Sequence, residues 1–549
     1  MRIDWLWIHE YKNLRDLTID FSQDHLITVL IGRNGTGKSN VLEALTEIFR
    51  DLLMGTDRNG KKNVPSIKYR IAYEIQDRWV FIDADPERKE AYRAKTVSKD
   101  EHQEPYPVGT SFDDLQGTPI SRTKIIGEDS EHLPRFLFGY YSGESERMKE
   151  VFRAYLKNYD DKLIKNNDPG LKRMFFAEPV HSNFVLLSFI VNNKTQTDEF
   201  LQKQLGLEEG GIESVLFVLK QPYWHNKKAT GGDHRFWNSK GIVRDFLAKL
   251  YEISLAPIRI KRREMYDVRR SRTLEYLYLY AKDIDSLQEL ANGKTSAEFF
   301  RDLESTHVSD LIDEVRIRVK LRKNDGSVTF RELSEGEQQL LTVLGLLQFT
   351  SAEESLFLLD EPDTHLNPRW SVEYIQHIRD FLKDENENSQ SSHVLLATHN
   401  PIAVAELVKE QIQILKRDDE TLYVTSEKPE IDPVGMGYAG VITSDLFDLN
   451  AAVDTTTQKL LETQRRLSAK TPLSQAENEE LNKVTRQLEE FGFRYQMRDP
   501  VYTEYLRARA ERTSISNAKA GQESERLDPE EARRLVGEAL NEIEKESQS

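Results

Sequence analysis

The sequence predicts an α/β protein: a parallel-sheet head divided into two lobes, with a helical insertion between them and a helical C-terminal region. Three observations predict it. Apolar runs at Leu26 to Ile31, Leu356 to Leu359 and Val394 to Ala397 have the length and branched-aliphatic content of strands buried on both faces. Each run ends at a residue suited to phosphate or metal chemistry: Gly32, Asp360 or, two residues on, His399. The first run lies far from the other two, and the intervening chain changes texture, as an insertion does.

The first run enters Gly32-Arg33-Asn34-Gly35-Thr36-Gly37-Lys38-Ser39, and helical apolar spacing follows from Asn40 to Phe49. Strand, glycine-rich turn and helix together make a phosphate-binding loop, in which backbone N–H groups surround an anion at a helix N-terminus. Gly32, Asn34, Gly35, Gly37, Lys38, Ser39 and Asn40 are therefore the expected ATP-binding residues. Lys38 reaches the β- and γ-phosphates, and the Ser39 hydroxyl is a magnesium ligand.

A carboxylate at the tip of a buried parallel strand sits where such sheets bind ligands. Asp360 is accordingly the second magnesium partner, directly or through water, and Glu361 orients or deprotonates the attacking water. A lone histidine is more often structural than catalytic. At the tip of the next strand, however, His399 is placed to contact the γ-phosphate. Glu361, His399 and Lys38 form the expected catalytic set. Ser334 precedes a helical run, Leu340 to Leu347, and Glu337 three residues on completes a capping box.

With these motifs in place, the chain resembles the ABC-type heads of the SMC, RecF and OLD families, whose Leu-Ser-Gly-Gly-Gln signature reads here Leu333-Ser334-Glu335-Gly336-Glu337. The resemblance implies a split ABC-type P-loop ATPase head using ATP and magnesium. It also implies a homodimer or higher even-numbered oligomer, in which Ser334, Gly336 and Glu337 act in trans on nucleotide held by the opposite head. Asp363 falls where the loop after the catalytic glutamate crosses that dimer interface. Many such heads carry an inter-lobe glutamine; Gln76 lies too close to a hairpin turn to fill the role.

The expected domains are a first head lobe over residues 1–150, a mainly helical insertion over 151–312, a second lobe over 313–430 and a helical partner-binding region over 431–549. In the first lobe, Ile67 to Ile75 and Trp79 to Asp83 read as a hairpin, and Glu87 to Glu131 as a long loop. The insertion lacks the sustained heptads of long coiled-coil arms. It mixes apolar helices at Phe184 to Val191 and Val243 to Ile253 with a glycine-bearing stretch, Gly206 to Gly211. Asp454 to Glu490 reads as a helical hairpin turning at Lys470-Thr471-Pro472, Ser514 to Glu525 as a linker and Pro529 to Glu546 as a further helix.

Composition narrows the function. The chain has no cysteine, so disulfides and cysteine-based metal sites are excluded. No run of about 18 apolar residues occurs and the start does not read as a signal peptide, so a cytoplasmic protein with no membrane contact is expected. All 12 histidines lie at or before His399 and no Asp-x-Asp follows it, so no HNH, zinc or Toprim nuclease centre is expected in the tail. A net charge of −17 opposes general nucleic-acid binding, yet two local stripes are basic. Strict alternation puts Arg316, Arg318, Lys320 and Arg322 on one strand face before a hairpin turn at Asn324-Asp325-Gly326. Arg259, Lys261, Arg262, Arg263, Arg269, Arg270 and Arg272 precede Tyr276, Tyr278 and Tyr280. A solvated face or a patch for an acidic partner explains either stripe about as well as contact with nucleic-acid phosphates such as those of DNA.

A complete ATPase head, a short insertion, no nuclease centre and a helical tail resemble the PtuA family, ATPase subunits of Septu-type and certain retron antiphage systems. Phe491 to Tyr495 and Arg498-Asp499-Pro500 add to that resemblance. It implies a separate HNH nuclease partner and, in a retron, a reverse transcriptase with its RNA–DNA hybrid. The alternative is a RecF- or SMC-like ATPase that binds DNA in repair.

Overall fold

The computed structural model describes residues 1–491 apart from 22–24, 101–105, 144, 192–200, 203–205, 226–230, 268–269, 323–326, 330–333, 351–353, 383–391, 419, 445, 448–452, 469 and 471–473. The expectations for the turn at 324–326, Leu333, Arg269, the turn at 471–472 and all motifs beyond 491 lie outside the described residues. The chain forms two compact units, Met1–Phe447 and Asp448–Ser549.

In chain order the first unit opens with β1 (Arg2–Tyr11), β2 (Leu14–Asp20), β3 (Ile27–Ile31) and α1 (Lys38–Met54). β4 (Tyr69–Ile75), β5 (Arg78–Ala84), β6 (Tyr92–Ser98), β7 (Thr118–Ile120), α2 (Arg122–Ile125) and β8 (Phe136–Tyr141) follow. The insertion carries α3 (Arg147–Ile164), β9 (Met174–Phe176), α4 (Val180–Val191), β10 (Leu207–Lys220), α5 (Gly241–Ile253), β11 (Ile258–Asp267), β12 (Arg270–Ala281), α6 (Ile284–Ala291) and α7 (Ser296–Val308). The chain returns through β13 (Ile312–Leu321), β14 (Ser327–Thr329), α8 (Glu335–Thr350), β15 (Ser355–Asp360), α9 (Pro368–Leu382) and β16 (Ser392–Ala397). It completes the unit with α10 (Pro401–Val404), β17 (Ile412–Arg417), β18 (Val424–Glu427) and α11 (Gly437–Thr443).

A seven-stranded sheet in the order β18-β17-β3-β16-β15-β8-β9 forms the centre, parallel except for β18. Its alternate residues feed two cores. Val29, Phe357, Leu359, Val394 and Leu396 pack with α4, α8 and the insertion. Leu30, Leu356, Leu358, Leu395 and Ala397 pack with α1 and the antiparallel sheet β2-β1-β4-β5-β6-β7. Two-sided burial is why these strands read as unbroken apolar runs.

Three expectations are corrected. The segment 87–131 is not only loop: β6 and β7 extend the first antiparallel sheet. The insertion is not simply helical, because β10, β11 and β12 join β13 and β14 in a second antiparallel sheet, ordered β11-β12-β10-β13-β14. Its glycine stretch lies at the start of β10, where the register against β13 shifts; a Cβ on Gly211 would stand 2.6 Å from the Glu208 carbonyl oxygen. The boundaries at 150 and 312 fall inside α3 and β13, and the first unit continues past 430 to Phe447. Within the second unit, α12 (Thr455–Ser468) and α13 (Gln475–Glu490) pair, with Gln464 bonding Thr485 at 3.1 Å. Among the described residues no helix is long and apolar enough to cross a membrane.

Candidate nucleotide site

The carboxyl ends of β3, β16, β15 and β8 lie side by side, the position in a parallel sheet where ligands bind. Gly32 to Gly37 leave β3 as a loop that needs its glycines. A Cβ on Gly32 would stand 2.4 Å from the Leu415 carbonyl oxygen. At Gly37, with φ +99°, it would stand 2.7 Å from the Leu14 side chain. α1 then starts from Gly37 with no side-chain cap and no acid in its first turn, so its positive end faces an incoming anion uncompensated. Asn34 is exposed at the loop tip.

Lys38 is buried, and its ammonium donates to the Gly32 carbonyl at 2.8 Å, spanning the loop. Burial lowers its pKa; Glu361 and Asp360 oppose the shift. Asp360 is 2% exposed, and its Oδ1 has no hydrogen-bond partner. Burial raises this carboxyl to about 6, against a hydrogen bond from Ser39. A hydroxyl bonded to a buried carboxylate that retains a free oxygen is a donor set suited to magnesium, which takes one or two protein oxygens and completes its shell with phosphates and water. Among the described residues no group of three or more carboxylate or imidazole side chains could hold a metal alone. Ser39 and Asp360 therefore fit a cation shared with nucleotide.

Glu361 sits at φ +53°, a left-handed conformation costly for a side chain of this size. Its N–H donates to the Ala397 carbonyl at 2.8 Å, and its Oε2 meets His399 Nδ1 at 2.5 Å. The expected catalytic pair is thus brought together at neighbouring strand tips, with the imidazole largely exposed.

Asp363 is 2% exposed and accepts from the Thr398 hydroxyl at 2.9 and 3.0 Å, so it ties two loops of its own chain. Burial raises its carboxyl, while bonds from Thr398 and Asn400 lower it. Asn400 in turn caps α10, accepting from Ile402 N–H at 3.0 Å.

The signature segment forms the expected capping box. Glu337 N–H donates to Ser334 Oγ at 3.2 Å, and Glu337 accepts from Ser334 N–H at 2.7 Å and from its hydroxyl at 2.9 Å. Gly336 is needed for a close approach: a Cβ there would lie 2.6 Å from the His365 carbonyl oxygen. Gln339 donates to the Pro362 carbonyl, so the start of α8 is fastened to the loop after Glu361. Ser334 itself is exposed.

Several residues were not singled out from sequence. Asn13, in the β1–β2 turn, donates to the Gly35 carbonyl at 2.9 Å and accepts from Asn40 at 2.6 Å, bracing the loop. Ser142 follows β8; its N–H donates to the Asp360 carbonyl at 3.2 Å and its hydroxyl to Thr364 Oγ1 at 3.2 Å. It occupies the strand tip beside Asp360, whereas Gln76 sits in the β4–β5 turn at φ +48°. No local pattern reveals these residues, because each acts through a partner remote in sequence.

On β13, Arg316, Arg318 and Lys320 are exposed on one face, as the alternation predicts. Arg316 pairs with Glu314 at 2.7 Å, and Arg322 donates to Gln202 at 2.5 Å. This row belongs to the second antiparallel sheet, and the nucleotide site belongs to the central one.

Fold and site define a P-loop ATPase head interrupted by an insertion, and the comparisons agree. Residues 1–206 match the family model "AAA ATPase domain". Residues 238–405 match "AAA domain, putative AbiEii toxin, Type IV TA system". The two matches together fall in both lobes of the head. Its similar proteins include "Retron Vc95 probable ATPase" of Vibrio cholerae serotype O1 biovar El Tor, 22% identical over 471 residues, 79% of this chain and 77% of that protein. "Retron Ec83 probable ATPase" of Escherichia coli is 20% identical over 441 residues, 76% of this chain and 72% of that one. "Septu protein PtuA" of Bacillus mycoides (strain KBAB4) is 21% identical over 281 residues, 47% of this chain but only 36% of PtuA. A solved SMC head bound to the C-winged helix domain of ScpA aligns over 78% of this chain and 98% of its own at 14% identity, with a TM-score of 0.31.

Proposed function

We propose that this protein is a dimerising ATPase that gates a separate nuclease in antiphage defence. The observation that carries the ATPase reading is the cluster at one sheet edge: Ser39 against a buried Asp360 with a free oxygen, beside Glu361 held by His399.

In this reading the backbone of Gly32, Asn34, Gly35 and Gly37, with Asn40 behind it, cradles the phosphates, and Lys38 turns from the Gly32 carbonyl to the β- and γ-phosphates. Ser39 and Asp360 would hold magnesium, which when bound neutralises charge on the phosphate oxygens. Glu361 orients and deprotonates water, and His399 holds its carboxylate in place and contacts the γ-phosphate. Ser334 and Gly336 serve the nucleotide of a second copy, so the working unit is a homodimer or a higher even-numbered oligomer. The exposure of Ser334 at a helix N-terminus supports that assignment, which requires release of its bonds to Glu337.

The defence setting rests on the retron and Septu relatives. An HNH nuclease docks on the tail beyond Asp448, and in a retron setting a reverse transcriptase with its RNA–DNA hybrid joins the complex. Mixing Lys38→Ala with Ser334→Arg chains tests the shared site: the mixture should regain at most one working site per dimer. Full activity would exclude action in trans. Removing the residues beyond 455 should abolish nuclease co-purification, and retention would remove the docking role. A second reading, a RecF- or SMC-like clamp on DNA, draws on the β13 cations. ATP-dependent affinity for duplex DNA in the isolated protein would favour it.

A further inference from the structure

The outer face of the second antiparallel sheet combines cations with a ring-bearing apolar strip. Register places Tyr280, Leu216 and Arg316 side by side on β12, β10 and β13, with Arg318 opposite Ser214 on the same face. Val218, Leu274 and Tyr276 form a small apolar cluster here, separate from the two main cores, with Leu216 and Tyr278 half-buried against it. Arg262 of β11 lies over Tyr276 at 5.3 Å and donates to the Tyr278 hydroxyl at 2.8 Å. Ile258 and Ile260 flank the tyrosines and are 55% and 39% exposed.

Ordinary explanations account for part of this. β11 is an edge strand, and cations on an edge discourage pairing with other chains. Arginine stems also cover apolar surface. Arg316 is held by Glu314 at 2.7 Å, but neither explanation covers Arg318 and Lys320. There β13 is paired on both sides, by β10 and β14, so these two cations project from a stretch that needs no edge protection. In a chain of net charge −17 this row is a local reversal of sign.

From this juxtaposition we infer that the face binds single-stranded nucleic acid. Alternate residues of a strand stand about 6.8 Å apart, comparable to neighbouring phosphates in an extended single strand. Tyr280 and Arg316 lie two strand spacings apart, roughly 10 Å, so a base can rest on the rings while its phosphate meets the cation row. A duplex hides its bases and would leave the half-buried Tyr278 and Tyr280 rings and the exposed Ile258 and Ile260 uncovered. An acidic polypeptide would meet the cations and have no use for the rings. This inference is independent of the reading of the nucleotide site.

The test uses the full chain and labelled oligothymidylate and oligouridylate of about 15 nucleotides, followed by fluorescence anisotropy across a salt series. Binding should weaken linearly in log salt with a slope of about −2 to −3, the value for three or four phosphate contacts on a single strand. Charge reversal at Arg318→Glu with Lys320→Glu should cut affinity at least about thirtyfold and flatten the slope, leaving basal ATP turnover unchanged. Tyr280→Ala should cost about tenfold without altering the slope, and Tyr280→Phe, which keeps the ring, should restore affinity. Preference for one sugar identifies the nucleic acid; binding of either supports the inference. It is overturned if wild-type protein binds neither oligonucleotide at low salt, if a duplex of equal length or polyaspartate binds as tightly, or if the charge-reversed chain binds as well as wild type.

Discussion

The helix N-termini at the phosphate-binding loop and at the signature segment are built in opposite ways. α1 begins at a left-handed glycine with no side-chain cap and no acidic residue in its first turn, so its N–H groups and dipole are free for an anion. α8 begins inside a capping box, with Glu335 and Glu337 in its first turn, and Glu337 already accepts both the N–H and the hydroxyl of Ser334. One terminus is open to phosphate, and the other is satisfied and negatively charged. The usual signature has Gly and Gln where this chain has Glu335 and Glu337. A phosphate presented to Ser334 therefore meets charge repulsion as well as a helix dipole. The difference teaches that one chain by itself can present an open anion site at α1, whereas any role of α8 is conditional on displacing its own cap.

The largest effect should come at the α1 side. Glu361→Gln is expected to slow hydrolysis by about 10²- to 10⁴-fold while ATP binding persists, measured by turnover and by retained nucleotide. Unchanged turnover would remove Glu361 as the base.

Asp360→Asn comes next. The Asp360 carboxyl titrates near 6 when folded because burial disfavours its charge, so ionisation costs folding energy. No penalty exists below the ordinary aspartate range; it grows as pH rises from about 4 to 6 and is constant above. In nucleotide-free protein the variant should thus exceed wild type in stability by up to about 2–3 kcal/mol at pH 7, with the gap vanishing near pH 4. Denaturant titration at the two pH values reads it. A gap independent of pH would mean that ionisation of Asp360 is not its cause.

Glu337→Gln keeps the capping geometry and removes one charge. If α8 receives phosphate from a second head, ATP-dependent association should tighten about tenfold, read by sedimentation of the Glu361→Gln background. No change would confine Glu337 to capping.

Thr398→Val should have the smallest effect, about 1–2 kcal/mol of stability, by removing the donor to buried Asp363. A loss of dimerisation without loss of stability would place the Asp363 loop at the interface.

How far the sequence could be read depended on whether a residue's role was local. Leu356–Leu359 and Val394–Ala397 are buried on both faces, and their apolar runs announced strands with Asp360 and His399 at the tips. β11 gave no such signal. As an edge strand it exposes both faces, and its cations read as a charged stripe. β10 was obscured by glycines at a register shift.

The sequence by itself determined the phosphate-binding loop, the acid and histidine tips, the capping box and the alternation of Arg316, Arg318 and Lys320, because each depends on spacing along one segment. Only the tertiary structure decided that Glu361 meets His399, that Asp363 turns inward, that Asn13 braces the loop, and that the Arg316 row stands beside Tyr280. Those outcomes depend on which strands become neighbours. Strand order is set by burying two cores at once, a property of the whole chain that no single window of residues contains.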